Sequence, residues 1–303
     1  MTAYVVEALE EVTLDVAGPG GRLADYDLMS PYVWREGDAY RLMVRVLPHP
    51  LGPNDPTGII WVGDSTDGRH FAIRPRPAIT PGPDFDDAGG CEDPTIVVGK
   101  DGGYRVFYTG VDSARAQGCL MLAEGPDLTD LTKREVALKA PPGEGNIKEA
   151  TVVRGSDGIW RLFYEYARDQ ASRIGVAVAP SEAGPWTVIA DPFGIREDGW
   201  DNWHLSTGPI LTQPDRDPVM FYNGATPDAR WRIGWISFAP DYSRVTGRGV
   251  EPLLIPPPAK DRTATDIAFA ASCVEVEGQP DCAWLYYSLE DAILRRALVR
   301  RYN

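Results

Sequence analysis

Asp93 and Glu149 each stand eleven residues ahead of an aromatic residue, Tyr104 and Trp160, and each aromatic leads into an Arg-x-Phe-Tyr run, Arg105 to Tyr108 and Arg161 to Tyr164. A third copy, Pro31-Tyr32-Val33-Trp34 followed by Tyr40-Arg41-Leu42-Met43-Val44, has Asp27 as its nearest acid, two residues further upstream. Carboxyl groups delivered to one place from separate repeats suit cleavage of a glycosidic bond. That reaction passes through an oxocarbenium-like state, with one carboxylic acid protonating the leaving oxygen and one carboxylate activating water or attacking the sugar. The acid has to keep its proton near neutral pH, and burial or neighbouring like charge raises its pKa enough to do so. Asp27, Asp93, Glu149 and Glu165 are the candidate catalytic residues. Glu92 adds to the acidic ring, and Lys148 beside Glu149 moderates its repulsion.

Each of these also has a plainer structural reading. Asp93 before Pro94 can cap a turn, Glu149 and Glu165 can be strand residues facing solvent, and Asp27 can be a surface charge. For Asp93 and Glu149 the shared register weighs towards function.

The elements that would position them are strands. Short apolar runs rich in Val, Ile, Tyr, Phe and Trp recur between Asp-Gly, Gly-Gly and Pro-containing breaks, as in Gly58-Ile59-Ile60-Trp61-Val62 before Asp67-Gly68. No segment carries a sustained helical period; Glu290 to Val299 comes nearest, and its place in the last repeat favours strand. Two weaker copies, Pro209-Ile210-Leu211 with Val219-Met220-Phe221-Tyr222, and Cys273 to Val276 with Trp284 to Tyr287, bring the number to five at about residues 25 to 80, 90 to 140, 145 to 190, 200 to 255 and 265 to 303. A repeat of this length supplies one four-stranded blade per copy, so the pattern predicts an all-β, five-bladed β-propeller forming one domain over residues 1–303. Innermost strands line the channel of a propeller, so acids at their starts would ring one mouth. The segment Tyr4 to Val16 has no copy of its own and is expected to supply the outer strand that closes the ring against the last blade, making the termini neighbours.

Composition narrows the partners. Of 303 residues 43% are apolar, enough for a core, and 31 Gly and 27 Pro are spread along the chain as turn punctuation. A formal net charge of −14 opposes binding to nucleic acid or anionic lipid and suits a neutral or cationic ligand. The N-terminus lacks the basic region and apolar run of a secretion signal, and no stretch approaches a membrane span, so the expected location is cytoplasmic. The four cysteines show no metal-ligand spacing, and no metal or other cofactor is expected. Cys273 and Cys282 flank a turn at Glu277-Gly278, where a disulfide across a hairpin is geometrically open but disfavoured in a reducing cytosol.

Ser65-Thr66-Asp67-Gly68-Arg69-His70-Phe71 and Gly90-Cys91-Glu92-Asp93-Pro94 resemble the S-x-D-G-x-x-F and G-x-E-D-P-R signatures of glycoside hydrolase family 130, the β-mannoside phosphorylases and hydrolases. Asn146 to Ala150, Gly208 to Gly224 and Tyr287-Ser288-Leu289-Glu290-Asp291 resemble later elements of that family, so the resemblance covers nearly the whole chain. The layout of one acid from each of the first three blades is similar to the wider group of five-bladed glycosidases, families 43 and 32. The resemblance implies a small oligosaccharide or glycoside as substrate. The chain departs from the phosphorylases at three places. Thr95 follows Glu-Asp-Pro where they have Arg, Glu165 stands where they have a basic residue that helps hold phosphate, and Asn223 replaces His in Tyr-His-Gly. An anionic nucleophile fits such a pocket poorly. Water, activated by Glu165 or Asp27, is the expected nucleophile, with inversion at the sugar.

Trp200, Trp203 and His204 precede the fourth inner strand and are expected near the same mouth, where rings can stack on the C–H faces of sugars, and Asp291 would close the ring from the last blade. Glu92, Lys148, Trp203, His204 and Asp291 are thus the candidate substrate-binding residues. Trp61, Trp160 and Trp284 are expected in the core. Two other readings stay open: a carbohydrate-binding propeller without catalysis, and a phosphorylase whose phosphate site is built from cations such as Arg45, Lys148 or Arg168.

Overall fold

A computed structural model describes residues 3–15, 26–82, 86–141, 144–257 and 266–302. Among these there is no helix, and the strands form successive antiparallel meanders. The first sheet runs Tyr26–Glu36, Ala39–Pro48, Ile59–Ser65 and His70–Ile73. The second runs Gly90–Val98, Tyr104–Val111, Gly118–Gly125 and Thr132–Leu138, and the third Gly145–Arg154, Trp160–Arg168, Ala171–Ala179 and Thr187–Ile189. The last runs Ala268–Val276, Gln279–Leu289 and Ile293–Tyr302, and the first strand of the chain, Ala3–Glu11, adds to its outer edge. Of the Glu290 to Val299 stretch, the part from Ile293 is strand, as its repeat position implied, and Glu290-Asp291-Ala292 forms the turn before it.

The fourth region differs. It forms two small sheets, one of Ile210–Leu211, Val219–Met220, Ile236–Phe238 and Val245–Arg248, the other of His204–Ser206, Asn223–Ala225 and Arg232–Ile233. Gly208-Pro209 interrupts the ladder: proline brings no N–H, and a Cβ on Gly208 would fall 1.9 Å from the Phe221 carbonyl oxygen. The Phe221 N–H to Pro209 O bond of 2.9 Å and the Gly234 N–H to Tyr222 O bond of 2.9 Å span the break.

Apolar residues gather between neighbouring sheets, not at one centre. Met43, Ile60 and Val62 of the first sheet pack on Val106, Tyr108 and Met121 of the second, and Phe107 and Leu120 of the second pack on Ile147 and Leu162 of the third. Phe163 and Ile174 meet Met220 and Tyr222 of the fourth region, whose Phe221 and Ile233 meet Leu285 and Ala270 of the last sheet. Val33 and Phe71 of the first sheet meet Tyr286 and Leu294 of the last, which closes the ring. This radial succession of curled sheets is consistent with a β-propeller, and it leaves the innermost strands to line the middle.

Polar contacts reinforce the seam between first and last sheets. Ser272 Oγ accepts from Val33 N–H at 2.8 Å and donates to Pro31 O at 2.7 Å. The chain start acts as a strap: Ala3 pairs with Tyr302, so the two ends are neighbours, and beyond Glu11 the chain crosses to the first sheet, where Thr13–Asp15 runs parallel to His70–Ile73. The expected closure against the last sheet is thus present, with a second attachment the repeat pattern did not reveal. Ser65-Thr66-Asp67-Gly68 is a turn in this seam. Ser65 Oγ accepts from the Gly68 N–H, Asp67 Oδ1 from the N–H groups of Arg69 and His70, and Tyr286 Oη donates to Gly68 O at 2.7 Å. Gly68 has φ +67°, and a Cβ there would lie 2.6 Å from Tyr286 Oη. Gly68→Ala is expected to cost at least about 1–2 kcal/mol from the left-handed backbone alone, read as a lower denaturation midpoint; an unchanged midpoint would remove the turn from the seam's stability.

The hairpin register separates Cys273 and Cys282. Cys273 faces Leu285 and Cys282 faces Arg300, so the disulfide held open from sequence does not form, and all four thiols are free.

Candidate functional site

Asp93 and Glu149 occupy the same irregularity in two inner strands. The ladder between Gly90–Val98 and Tyr104–Val111 slips between Glu92 and Thr95, and that between Gly145–Arg154 and Trp160–Arg168 slips between Lys148 and Thr151. At each bulge the acid adopts a left-handed backbone, φ +49° at Asp93 and +55° at Glu149. A left-handed residue in a strand bulge re-aims its side chain out of the alternation, and its backbone strain is maintained by the surrounding ladder.

The first inner strand has the same bulge, between Met29 and Tyr32, and its left-handed residue is Ser30, φ +53°. Asp27 is therefore not the counterpart of Asp93 and Glu149. It pairs with Leu47 three residues earlier, its Oδ2 stands 2.8 Å from Nδ1 of the exposed His49, and it is close enough to Asp291 to raise that residue's pKa. Ser30 Oγ donates to Asp93 Oδ1 at 2.5 Å.

Two cations and several acids meet around this bond. Arg45 Nη2 is 2.7 Å from Glu92 Oε1, Arg45 Nη1 is 3.5 Å from Asp93 Oδ1, and the same guanidinium donates to Thr57 O. Lys148 faces Glu165 across the third sheet, Nζ to Oε1 3.7 Å, and Ser172 Oγ donates to Glu165 Oε1 at 2.8 Å. Glu92, Asp93 and Glu165 are buried, at 8%, 5% and 4% exposure, and Glu149, Lys148 and Asp291 are half-buried. Burial raises the Glu149 carboxyl well above the usual carboxylate range, with Asp93 and Glu165 adding repulsion against the pull of Lys148 and Arg45. Burial also raises Asp291, against Arg45 and with Asp93. Glu165, followed by burial in opposition, is the chief influence on Lys148, which is held firmly protonated. Among the described residues no hydrogen bond reaches the Glu149 carboxyl, whereas Asp93 has a hydroxyl donor and a guanidinium neighbour. The two bulge acids are chemically unlike.

His204 reaches this group from the fourth region. Its Nδ1 accepts from the Ser172 N–H at 3.1 Å, and burial lowers its pKa, opposed by Glu165. Trp203 beside it is 38% exposed. Trp200, expected near them, instead stacks on Tyr222 with centroids 5.6 Å apart and donates Nε1–H to Val250 O, which makes it a packing residue. Trp61 and Trp284 pack at the first-to-last seam and Trp160 between the second and third sheets, as expected. Arg168 pairs with Glu144 and lies over the Tyr166 ring.

Ser30, Ser172 and Thr109, whose Oγ1 accepts from the Glu149 N–H at 3.4 Å, carry no sequence signal of their own. Ser30 is found by counting five residues back from the strand-end partners Arg35, Val98 and Arg154, a count that the hairpin lengths conceal. Among the described residues no group of His, Cys, Asp and Glu is arranged to hold a metal ion, and no helix is long and apolar enough to cross a membrane.

No family model matches the sequence, and no curated protein matches it. Solved structures do match. A β-1,2-mannobiose phosphorylase from Listeria innocua superposes with a TM-score of 0.74 at 16% identity, over 97% of this chain and 91% of that one. The chain shares its fold. A glycosyl hydrolase from Bacteroides ovatus superposes with a TM-score of 0.74 at 22% identity, over 90% of this chain and 84% of that one. The same values hold for a structure from the family 130 mannoside phosphorylases, a family containing glycoside hydrolases that target β-1,2 mannosidic linkages in Candida mannan. The resemblance read from Glu92-Asp93-Pro94 and its companions thus extends to the architecture.

Proposed function

We propose that the chain is a five-bladed β-propeller glycoside hydrolase, one domain throughout, that cleaves a β-mannoside or a related glycoside with water. The two small sheets of the fourth region count as one interrupted blade in this reading, since hydrogen bonds cross the Gly208-Pro209 break. The observation that carries the function is the contrast between the bulge acids and the company of Glu165. Glu149, with its raised pKa and no donor on its carboxyl, is suited to give a proton to the leaving oxygen. Asp93, oriented by Ser30 and Arg45, presents a carboxylate to the positive charge that develops on the sugar. Glu165, oriented by Ser172 and Lys148, is the general base for water. Asp27 is left at the rim, and Glu92, Lys148, His204, Trp203 and Asp291 line the sugar.

Phosphorolysis is the second reading, because Arg45 and Lys148 both stand in the site. Each is already matched by carboxylates, Arg45 by Glu92 and Asp93 and Lys148 by Glu165, so a phosphate dianion would compete with Glu92, Asp93 and Glu165 for the same cations. Neutral water meets no such repulsion.

The deciding experiment incubates the protein with β-1,2-mannobiose and short β-mannosides, with and without inorganic phosphate, and follows the products by NMR. Free mannose at a rate independent of phosphate is expected, with the α-anomer appearing first. Mannose 1-phosphate, or a rate rising with phosphate, would restore the phosphorylase. Saturable sugar binding without turnover would leave a binding propeller.

A further inference from the structure

The catalytic groups assigned above come from the first three sheets, whereas the fourth region and the last sheet bring rings to the same neighbourhood. Trp203 and His204 have centroids 6.4 Å apart, His204 and Trp231 5.4 Å, and Trp231 and Phe269 5.2 Å. The row starts at the carboxylates, because His204 accepts from Ser172, whose hydroxyl holds Glu165. It ends on the last inner strand, where Phe269 faces Ser288, three residues before Asp291.

The rings set deepest between the sheets, Tyr108, Phe107, Phe163, Phe221 and Phe238, are all below 2% exposure. None of the four rings in the row is; Trp203 is exposed and the other three are half-buried. Their backbones are nonetheless tied down. Trp203 N–H donates to Ala225 O at 3.1 Å, Arg173 Nη1 donates to Trp203 O at 2.6 Å, and Trp231 N–H donates to Asp266 O at 3.2 Å. Rigid, partly open aromatics next to a polar cluster form the mixed lining of a ligand site, in which apolar walls carry contact area and a few polar groups fix orientation. A pyranose has the matching anatomy, hydroxyls on its rim and C–H groups on its faces.

We infer that Trp203, His204, Trp231 and Phe269 form a stacking wall for the sugar units adjacent to the bond that is cleaved, so that the ligand is an unbranched oligosaccharide of three or more units and not a simple glycoside. This rests on the glycosidase reading above. The rings come from three separate segments, Trp203-His204, Trp231 and Phe269, and together offer more faces than one sugar ring can cover, which sets the chain length. The carboxylates select the bond, and the wall selects the chain.

The test compares kcat/KM for p-nitrophenyl β-mannoside with that for β-1,2-linked manno-oligosaccharides of two, three and four units. The parent protein is expected to prefer three and four units. Trp203→Ala and Phe269→Leu, each checked by circular dichroism melting, are expected to lose about ten-fold more on the tetrasaccharide than on the aryl glycoside, mainly through KM. Equal losses on all substrates, or none, would overturn the wall. If the parent protein cleaves nothing, the glycosidase reading falls, and tryptophan fluorescence titration then decides the wall by itself. Tetrasaccharide binding that exceeds mannose binding and is weakened in Trp203→Ala supports it; equal or absent binding overturns it.

Discussion

Glu149→Gln is expected to lower kcat/KM on an oligosaccharide by about 10²–10⁴ and, at alkaline pH, to raise the melting temperature. Both effects follow from a single carboxyl held protonated by burial, with Asp93 and Glu165 adding to the shift. A carboxyl whose folded pKa is raised contributes its full share of stability below its unfolded pKa, and that share is lost as pH rises through the folded value. Above it the folded chain carries an ionised Glu149 against two acidic neighbours. Glutamine keeps the shape without the charge, so the variant's melting temperature should exceed that of the parent at pH 8 to 9, by about 1.6 °C for each kcal/mol relieved, and converge with it near pH 4. A proton donor is needed only when the leaving group is basic, so a 2,4-dinitrophenyl glycoside should lose less than ten-fold in the same variant. Equal loss on both substrates would show that Glu149 is not the acid, and a melting difference independent of pH would show that it is not the group under repulsion.

Glu165→Gln is expected to show the opposite substrate pattern. Activation of water is required whatever the leaving group, so turnover should fall by about 10² or more on the oligosaccharide and on the dinitrophenyl glycoside alike. The substitution also removes the chief partner of Lys148, the 3.7 Å contact across the strand pair, and leaves that ammonium with one carboxylate fewer. Phosphate inhibition should therefore become stronger in Glu165→Gln than in the parent, because one repelling charge is gone and one cation is freed. Parental turnover on either substrate would take Glu165 out of the reaction, and unchanged phosphate inhibition would contradict the electrostatic argument for water over phosphate.

Much of this site was legible in the sequence because strand alternation and turn residues are local signals. The Arg-x-Phe-Tyr runs at Arg105 and Arg161, the Asp-Gly turns and the eleven-residue spacing set Asp93 and Glu149 at like positions, Lys148 followed from its place beside Glu149, and Glu165 from standing where the resembled phosphorylases carry a basic residue. Other features depend on through-space register. Ser30 takes the place expected near Asp27 because the bulge, not the distance to the next aromatic, decides which residue turns left-handed. Cys273 misses Cys282 because the hairpin pairs it with Leu285. Trp200 and Trp203, three residues apart, part company because one stacks on Tyr222 and the other stays open beside His204.

By itself the sequence determined that the chain is built of repeated strands, that its acids recur in register, and that it resembles the family 130 enzymes, since composition, periodicity and short motifs are properties of the chain alone. Only the tertiary structure decided which groups face one another: Ser30 on Asp93, Arg45 between Glu92 and Asp93, Ser172 between Glu165 and His204, and Trp231 between His204 and Phe269. The physical reason is distance. Hydrogen bonds and charge interactions fall off within a few ångströms, and these partners are brought within that range only by the closure of the ring of sheets, which joins segments as far apart in sequence as Val33 and Ser272.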